Sequence, residues 1–211
     1  MIDVYTFPLG PLQTNCFVAV NDDQAVVIDP GGDPASVVSF LQSKGYKLQA
    51  IVNTHFHFDH ILGNKALQEA TGAPILGSPE DDFLLQSQVG AGGGMMGFPK
   101  VQPFEYEALY PGEYNWVNET CRVLPTPGHT PGSLSLSFPQ SQVLFSGDLI
   151  FQGSIGRTDF PGGSLETLLQ SVRKQVFTLP GQTVIYCGHG PQTSVENEKL
   201  YNPFFQEGAF F

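Results

Sequence analysis

The sequence predicts an α+β fold, a four-layer αββα sandwich with two sheets face to face and helices on both outer sides. Three observations carry that expectation. In each half of the chain, short apolar runs of strand length precede helical stretches, an order that favours stacked sheets over one doubly wound parallel sheet. Gly (24) and Pro (17) are abundant while only 14% of residues are charged, the composition of tight turns between short strands. Hydrophobic residues at 41% and aromatics at 12% supply a sizeable core for 211 residues, expected to form a single domain over 1–211.

Residues 2–7, 15–21 and 24–29 are β-rich runs broken by Pro8-Leu9-Gly10-Pro11 and Asn21-Asp22-Asp23. Gly31-Gly32-Asp33-Pro34 opens a helix, with Asp33 as N-cap and Pro34 in the first turn. Val37, Val38 and Leu41 share its apolar face and Gly45 ends it. Residues 48–53 read as a buried strand, 60–71 as a helix stopped by Gly72, 74–76 as a short strand and 79–88 as a short helix. Five glycines within 89–99 predict a loop with little capacity to pack, either an inert connector or a lid with Met95, Met96 and Phe98 as apolar contacts. Strands are then expected at 121–124, 134–138 and 143–145, followed by an irregular Gly-rich stretch over 147–163. A helix over 165–176, capped by Ser164, a last strand at 183–187 and a helix at 195–201 complete the reading.

Charge excludes two classes of partner. Nine Lys+Arg against 20 Asp+Glu give a net charge of −11, which opposes nucleic-acid and anionic membrane surfaces alike. No apolar run approaches the roughly 18–20 residues of a membrane span, and no secretory signal is visible. Three dispersed cysteines, without C-x-x-C, argue against a disulfide framework, so a cytoplasmic setting is expected.

The chemistry concentrates in Thr54-His55-Phe56-His57-Phe58-Asp59-His60, directly after a predicted strand. Three of the five histidines fall within six residues; a shuffled chain of this composition would give H-x-H-x-D-H roughly once in 10⁴. In extended backbone, residues i and i+2 point the same way, so His55 and His57 can chelate one ion together. Asp59 and His60 lie where the chain turns into a helix and can face a second. Imidazole with carboxylate suits Zn²⁺, Fe or Mn. The other two histidines occupy rigid frames at strand ends, His129 in Pro127-Gly128-His129-Thr130-Pro131-Gly132 and His189 in Cys187-Gly188-His189-Gly190-Pro191. Asp148 ends an apolar strand beside Gly147, where its carboxylate can bridge two cations. Asp29, at a comparable strand end, fits either an acceptor that orients a ligand histidine or the first residue of a turn-forming Asp-Pro-Gly.

H-F-H-F-D-H, P-G-H-T-P-G, S-G-D at 146–148 and C-G-H-G-P at 187–191 stand in the order and approximate spacing of the metallo-β-lactamase superfamily. The resemblance covers essentially the whole chain. Within the superfamily the sequence is most similar to short glyoxalase II-type hydrolases, through G-R-T-D-F-P-G-G at 156–163 and the ending over 188–204. It implies His55, His57 and His129 on a first metal, Asp59, His60 and His189 on a second, and Asp148 bridging. It also implies two divalent metal ions, Zn²⁺ with Fe or Mn as alternatives, and a small-molecule thioester substrate such as S-lactoylglutathione. Lactamase-type sites commonly carry cysteine where Asp148 stands, and flavodiiron relatives Glu where His57 stands; neither pattern is present.

Two divalent cations sharing a water lower its pKa from 15.7 towards about 7, generating a hydroxide that attacks a thioester carbonyl while Asp59 holds or receives the proton. No G-x-S-x-G elbow points to covalent catalysis. Too few residues follow His189 for the helical domain that binds glutathione in longer glyoxalase II enzymes, which leaves Arg157 as the expected substrate anchor. The rival reading is a persulfide dioxygenase of the same fold, which shares a similar G-R-T-D-F segment and uses a single iron.

Overall fold

Alternation along the strands builds two cores from each sheet in the computed structural model, which describes residues 1–92 and 97–206. β1 (Asp3–Leu9) pairs antiparallel with β2 (Thr14–Asn21), and β2 with β3 (Gln24–Ile28). Phe17 and Ala19 of β2 and Val26 and Ile28 of β3 enter one apolar cluster, while Cys16, Val18, Val20, Ala25 and Val27 enter another. Neighbouring side chains leave a strand on opposite faces, so both faces are buried only because both neighbours of each run are apolar. Helix α1 (Ala35–Lys44) covers the outer face with Val37 and Leu41, then parallel β4 (Lys47–Val52) repeats the pattern, Ala50 and Val52 inward and Ile51 outward.

After β4 come α2 (Phe58–Ile61) and α3 (Asn64–Thr71), where one continuous helix over 60–71 was expected. The break falls at Leu62-Gly63, and close approach explains it: a Cβ on Gly63 would lie 2.2 Å from the Gly32 carbonyl oxygen. Next follow β5 (Ile75–Gly77), a 3₁₀ helix at Pro79–Gln86 and α4 (Gln88–Ala91), which takes the start of the predicted loop. Residues 93–96, with the expected contacts Met95 and Met96, lie outside the described residues. β6 (Glu107–Ala108) closes the first sheet, ordered β1 to β6.

The second sheet starts with β7 (Gly112–Trp116), which the sequence reading missed. Its exposed G-E-Y-N lacks apolar alternation, and its tight turn to β8 (Glu119–Pro125) is made by Val117 and Asn118 at φ 48° and 57° instead of a Gly-containing pair. β9 (Leu134–Phe138) and β10 (Val143–Gly147) extend the antiparallel run. The hairpin β11 (Ile150–Phe151) and β12 (Ser154–Ile155) orders part of the stretch expected to be irregular. Ser164 caps α5 (Leu165–Ser171) by accepting from the Thr167 N–H, as expected, and the helix ends in a π-helical turn at Val172–Val176. β13 (Val184–Cys187) then pairs parallel with β10, and β14 (Thr193–Ser194) and α6 (Val195–Tyr201) follow.

Four layers result. Phe17, Phe138 and Phe145 fill the space between the sheets, each contributing about 1.5–3 kcal/mol of transfer free energy. Leu168, Val172, Val176 and Val195 cover the second sheet's outer face. At one edge the sheets are laced by backbone hydrogen bonds, Leu134 N–H to the Thr54 carbonyl (2.8 Å) and Asn15 N–H to the Gly188 carbonyl (2.8 Å). The ends of β3, β4, β10 and β13 meet there.

Candidate metal centre

Beyond β4 the chain bends at Thr54-His55 and is extended again at His57 (φ −71°, ψ 144°) before α2 begins. The rings of His55 and His57 lie together, centroids 4.7 Å apart, while Phe56 between them packs with Ile61 and Leu84. His129 joins them from the turn between β8 and β9. The Nε2 atom of His55 lies 3.1 Å from Nδ1 of His57, and Nε2 of His129 lies 2.9 Å from the same atom. Three ligand nitrogens about 2.0–2.1 Å from a tetrahedral ion would be separated by roughly 3.3 Å, close to this spacing.

Asp59 and His60 emerge on α2 and His189 after β13, forming a second group of donors. His189 Nε2 is 3.2 Å from Asp59 Oδ2. Asp148 stands between the groups: its Oδ1 is 3.4 Å from His60 Nε2, and its Oδ2 is 3.6 Å from both His129 Nε2 and His189 Nε2. All seven residues predicted as ligands are thus brought into one cluster. Among the described residues, the buried His60 Nε2 and Asp148 Oδ1 have no hydrogen-bond partner, and neither has His57 Nε2. Orphaned buried polar atoms are costly, and the first two face each other inside a donor set suited to a divalent cation.

The outward nitrogens are tied down. His60 Nδ1 meets Asp29 Oδ2 at 2.9 Å, so Asp29 orients a ligand-type histidine as the sequence suggests. Asp29 also accepts from the Thr54 N–H (2.8 Å) and hydroxyl (2.7 Å), and that hydroxyl oxygen lies 3.1 Å from His55 Nδ1. His129 Nδ1 meets the Arg157 carbonyl oxygen at 2.7 Å. A ring that donates its Nδ1 proton to oxygen presents a bare Nε2 lone pair on the other side.

The two groups differ electrically. Burial, reinforced by His60 beside it, pushes the His55 pKa well below normal, and burial with neighbouring His129 brings His57 to about 3. Burial also opposes charge on His60 and His189. Asp148, Asp59 and Asp29 outweigh it at His60, and the hydrogen bond to Asp59 with the charge of Asp148 outweighs it at His189, so both pKa values are raised. Asp148 and Asp59 are pushed up by burial, yet the adjacent His60 more than reverses this and both sit below the usual carboxylate range. His55 and His57 offer neutral lone pairs, whereas the second group attracts positive charge, whether proton or metal.

A cavity of about 540 Å³ opens over the cluster, walled by Phe58, Val89, Phe98, Phe151, Ile155 and Phe160. Phe58 and Phe98 stack at 4.9 Å. Arg157 also lines it, but its guanidinium forms two 2.7 Å bonds to Asp159 and lies 3.7 Å from the Phe160 ring centroid. The side chain is half exposed, and its backbone carbonyl, not its charge, is what touches the cluster.

Glycine spacing is part of the construction. A Cβ on Gly188 would meet Asp148 Oδ1 at 2.2 Å and the His60 ring at 2.9 Å. Gly188→Ala is expected to reduce metal uptake by at least half while the secondary structure persists, which metal analysis and circular dichroism would check. Sequence reasoning missed Thr14, whose hydroxyl donates to Asp59 Oδ2 at 3.0 Å, and Asp81, whose carboxylate bonds the backbone beside the histidines. Asp81 carried one signal: it is three residues before the buried Leu84, on one face of the 3₁₀ helix.

Comparison with known proteins agrees with this architecture. The chain is 33% identical to "Hydroxyacylglutathione hydrolase GloC" of Haemophilus influenzae over 212 residues, covering 96% of this chain and 98% of that protein. It superposes on the crystal structure of the BLEG-1 B3 metallo-beta-lactamase with TM-score 0.88 at 35% identity, covering 96% and 99% of the two chains. Against TTHA1623 in a di-iron-bound form the values are 0.84, 34%, 95% and 99%. In the described residues no helix is long and apolar enough to cross a membrane. The family profile of the Metallo-beta-lactamase superfamily matches residues 9–189, which include every one of the clustered histidines and carboxylates, and the chain belongs to that superfamily.

Proposed function

We propose that this chain is a binuclear metal-dependent hydrolase of thioesters, with glutathione thioesters such as S-lactoylglutathione as its substrate class. The carrying observation is the tethering of His55, His60 and His129 through Nδ1, which aims three Nε2 atoms at one space. His55, His57 and His129 would hold one ion, Asp59, His60 and His189 the other, and Asp148 both. Divalent ions bound there, Zn²⁺ or alternatively Fe or Mn, supply Lewis acidity that polarises a carbonyl and lowers the pKa of water towards about 7.

The protein's own groups do the rest. Asp59 lines the cavity, steadied by Thr14, and its carboxylate orients the attacking water and accepts its proton. The aromatic walls exclude bulk water and receive the acyl arm. The name of the Haemophilus relative supports the thiol arm.

Arg157 is the cation lining the cavity and would meet an anionic thiol arm after exchanging Asp159 for it. Because that pair is solvent-screened, Arg157→Ala is expected to raise KM only about 3–10-fold with kcat nearly unchanged. The main test is metal analysis of the purified protein paired with S-lactoylglutathione hydrolysis. Two ions per chain, with activity lost to a chelator and restored by metal, is the expected result. A single iron with thiol-dependent O₂ uptake, or β-lactam opening without thioester cleavage, would overturn the proposal.

A further inference from the structure

Asp81 is fully buried, and none of the ion pairs among the described residues neutralises it. An isolated buried carboxylate is expensive and persists only where hydrogen bonds converge on it. Three do. Oδ1 accepts from the Gly132 N–H at 2.7 Å; Oδ2 accepts from the Thr130 hydroxyl at 2.8 Å and from the Phe56 N–H at 3.2 Å. Phe56 is the residue between His55 and His57, and Thr130 directly follows His129. One carboxylate therefore bonds both segments that carry the first histidine triad. None of these bonds reaches Asp59, His60, Asp148 or His189. Fit is tight on the far side as well, since a Cβ on Gly132 would lie 2.7 Å from the Asp81 carboxyl carbon.

We propose that Asp81 is a positioning residue for the first metal position: it clamps the segment after β4 to the turn between β8 and β9 and so sets the spacing of His55, His57 and His129. This rests on the binuclear reading, but it predicts something that reading does not, a selective loss at one of two positions. Ligand-orienting residues that do not touch the ion typically change metal affinity by about 10–100-fold.

The test is stepwise Co²⁺ titration of the metal-free protein, followed by visible absorption and by competition with a chelator. His129→Ala and His189→Ala assign each binding phase to its group. Asp81→Ala is expected to weaken the His129-dependent phase by about 10–100-fold and to alter its absorption bands, leaving the other phase within about 3-fold. Thr130→Val removes one of the three hydrogen bonds while preserving shape, and should weaken the same phase by a smaller factor of about 3–10. It carries the test alone if Asp81→Ala does not fold. Equal weakening of both phases, or an unchanged His129-dependent phase, would overturn the clamp. Wild-type protein that takes up a single ion at the His55–His57–His129 group would instead remove the binuclear reading and leave the clamp comparison standing.

Discussion

His57→Ala is expected to lower kcat/KM for a thioester by about 10³-fold or more while lowering the stability of the metal-free protein by no more than about 1–2 kcal/mol. The asymmetry follows from what the ring does. Its Nδ1 is the meeting point of the first triad, 3.1 Å from His55 Nε2 and 2.9 Å from His129 Nε2, so two nitrogens remain where three are needed. For folding, the ring is a mixed asset. It is 5% exposed, and truncation leaves a void. Yet its Nε2 is a buried polar atom with no partner among the described residues, and removing such an atom relieves a penalty of about 1–3 kcal/mol. The two effects oppose and nearly cancel. Steady-state thioester hydrolysis, metal stoichiometry falling from two towards one, and thermal melts of the metal-free protein would check it. Unchanged turnover would remove the metal assignment.

The clustered side chains were legible because rare residues are concentrated in a few short motifs. Five histidines in 211 residues either cluster within 55–60 or stand between glycines and prolines at strand ends, and the fold brings all of them together. Fold class was legible for a related reason: runs such as Val26-Val27-Ile28 are apolar at every position, which demands cover on both faces. What stayed hidden depends on distant neighbours. β7 owes its place to pairing with β8 and not to its own pattern, and Glu80-Asp81-Asp82 reads as solvated first-turn charge although Asp81 is buried at the cluster. Arg157 was legible in part. Its charge pointed to the cavity, which it lines, but nothing in the sequence signalled that its carbonyl reaches His129 or that its guanidinium pairs with Asp159.

Asp29→Ala is expected to cost about 3–5 kcal/mol and to abolish uptake of the second ion, whereas Asp29→Asn costs distinctly less. Asp29 accepts from His60 Nδ1, the Thr54 N–H and the Thr54 hydroxyl, so alanine strands three buried donors at once. The backbone adds a second cost. Asp29 has φ 51°, a left-handed conformation that Asp and Asn tolerate and alanine resists by about 1 kcal/mol. Asparagine keeps the backbone preference and one acceptor oxygen, and removes the charge. Both variants lack the charge, so the difference between them reports backbone and hydrogen-bond geometry, and the comparison of wild type with Asp29→Asn reports the charge. Asp29 is also one of the three carboxylates that raise the His60 pKa above its unfolded value. A raised histidine stabilises the metal-free fold fully below about pH 6.5, and that contribution is lost as pH rises through the folded-state value. With Asn at position 29 the folded-state value drops, so the contribution is smaller and its loss is complete at lower pH. Urea unfolding of the metal-free proteins between pH 6 and 9 should show the wild-type advantage over Asp29→Asn shrinking towards the alkaline end. An advantage independent of pH would mean that Asp29 acts through its hydrogen bonds alone, and that the negative charge of the cluster is carried by Asp59 and Asp148.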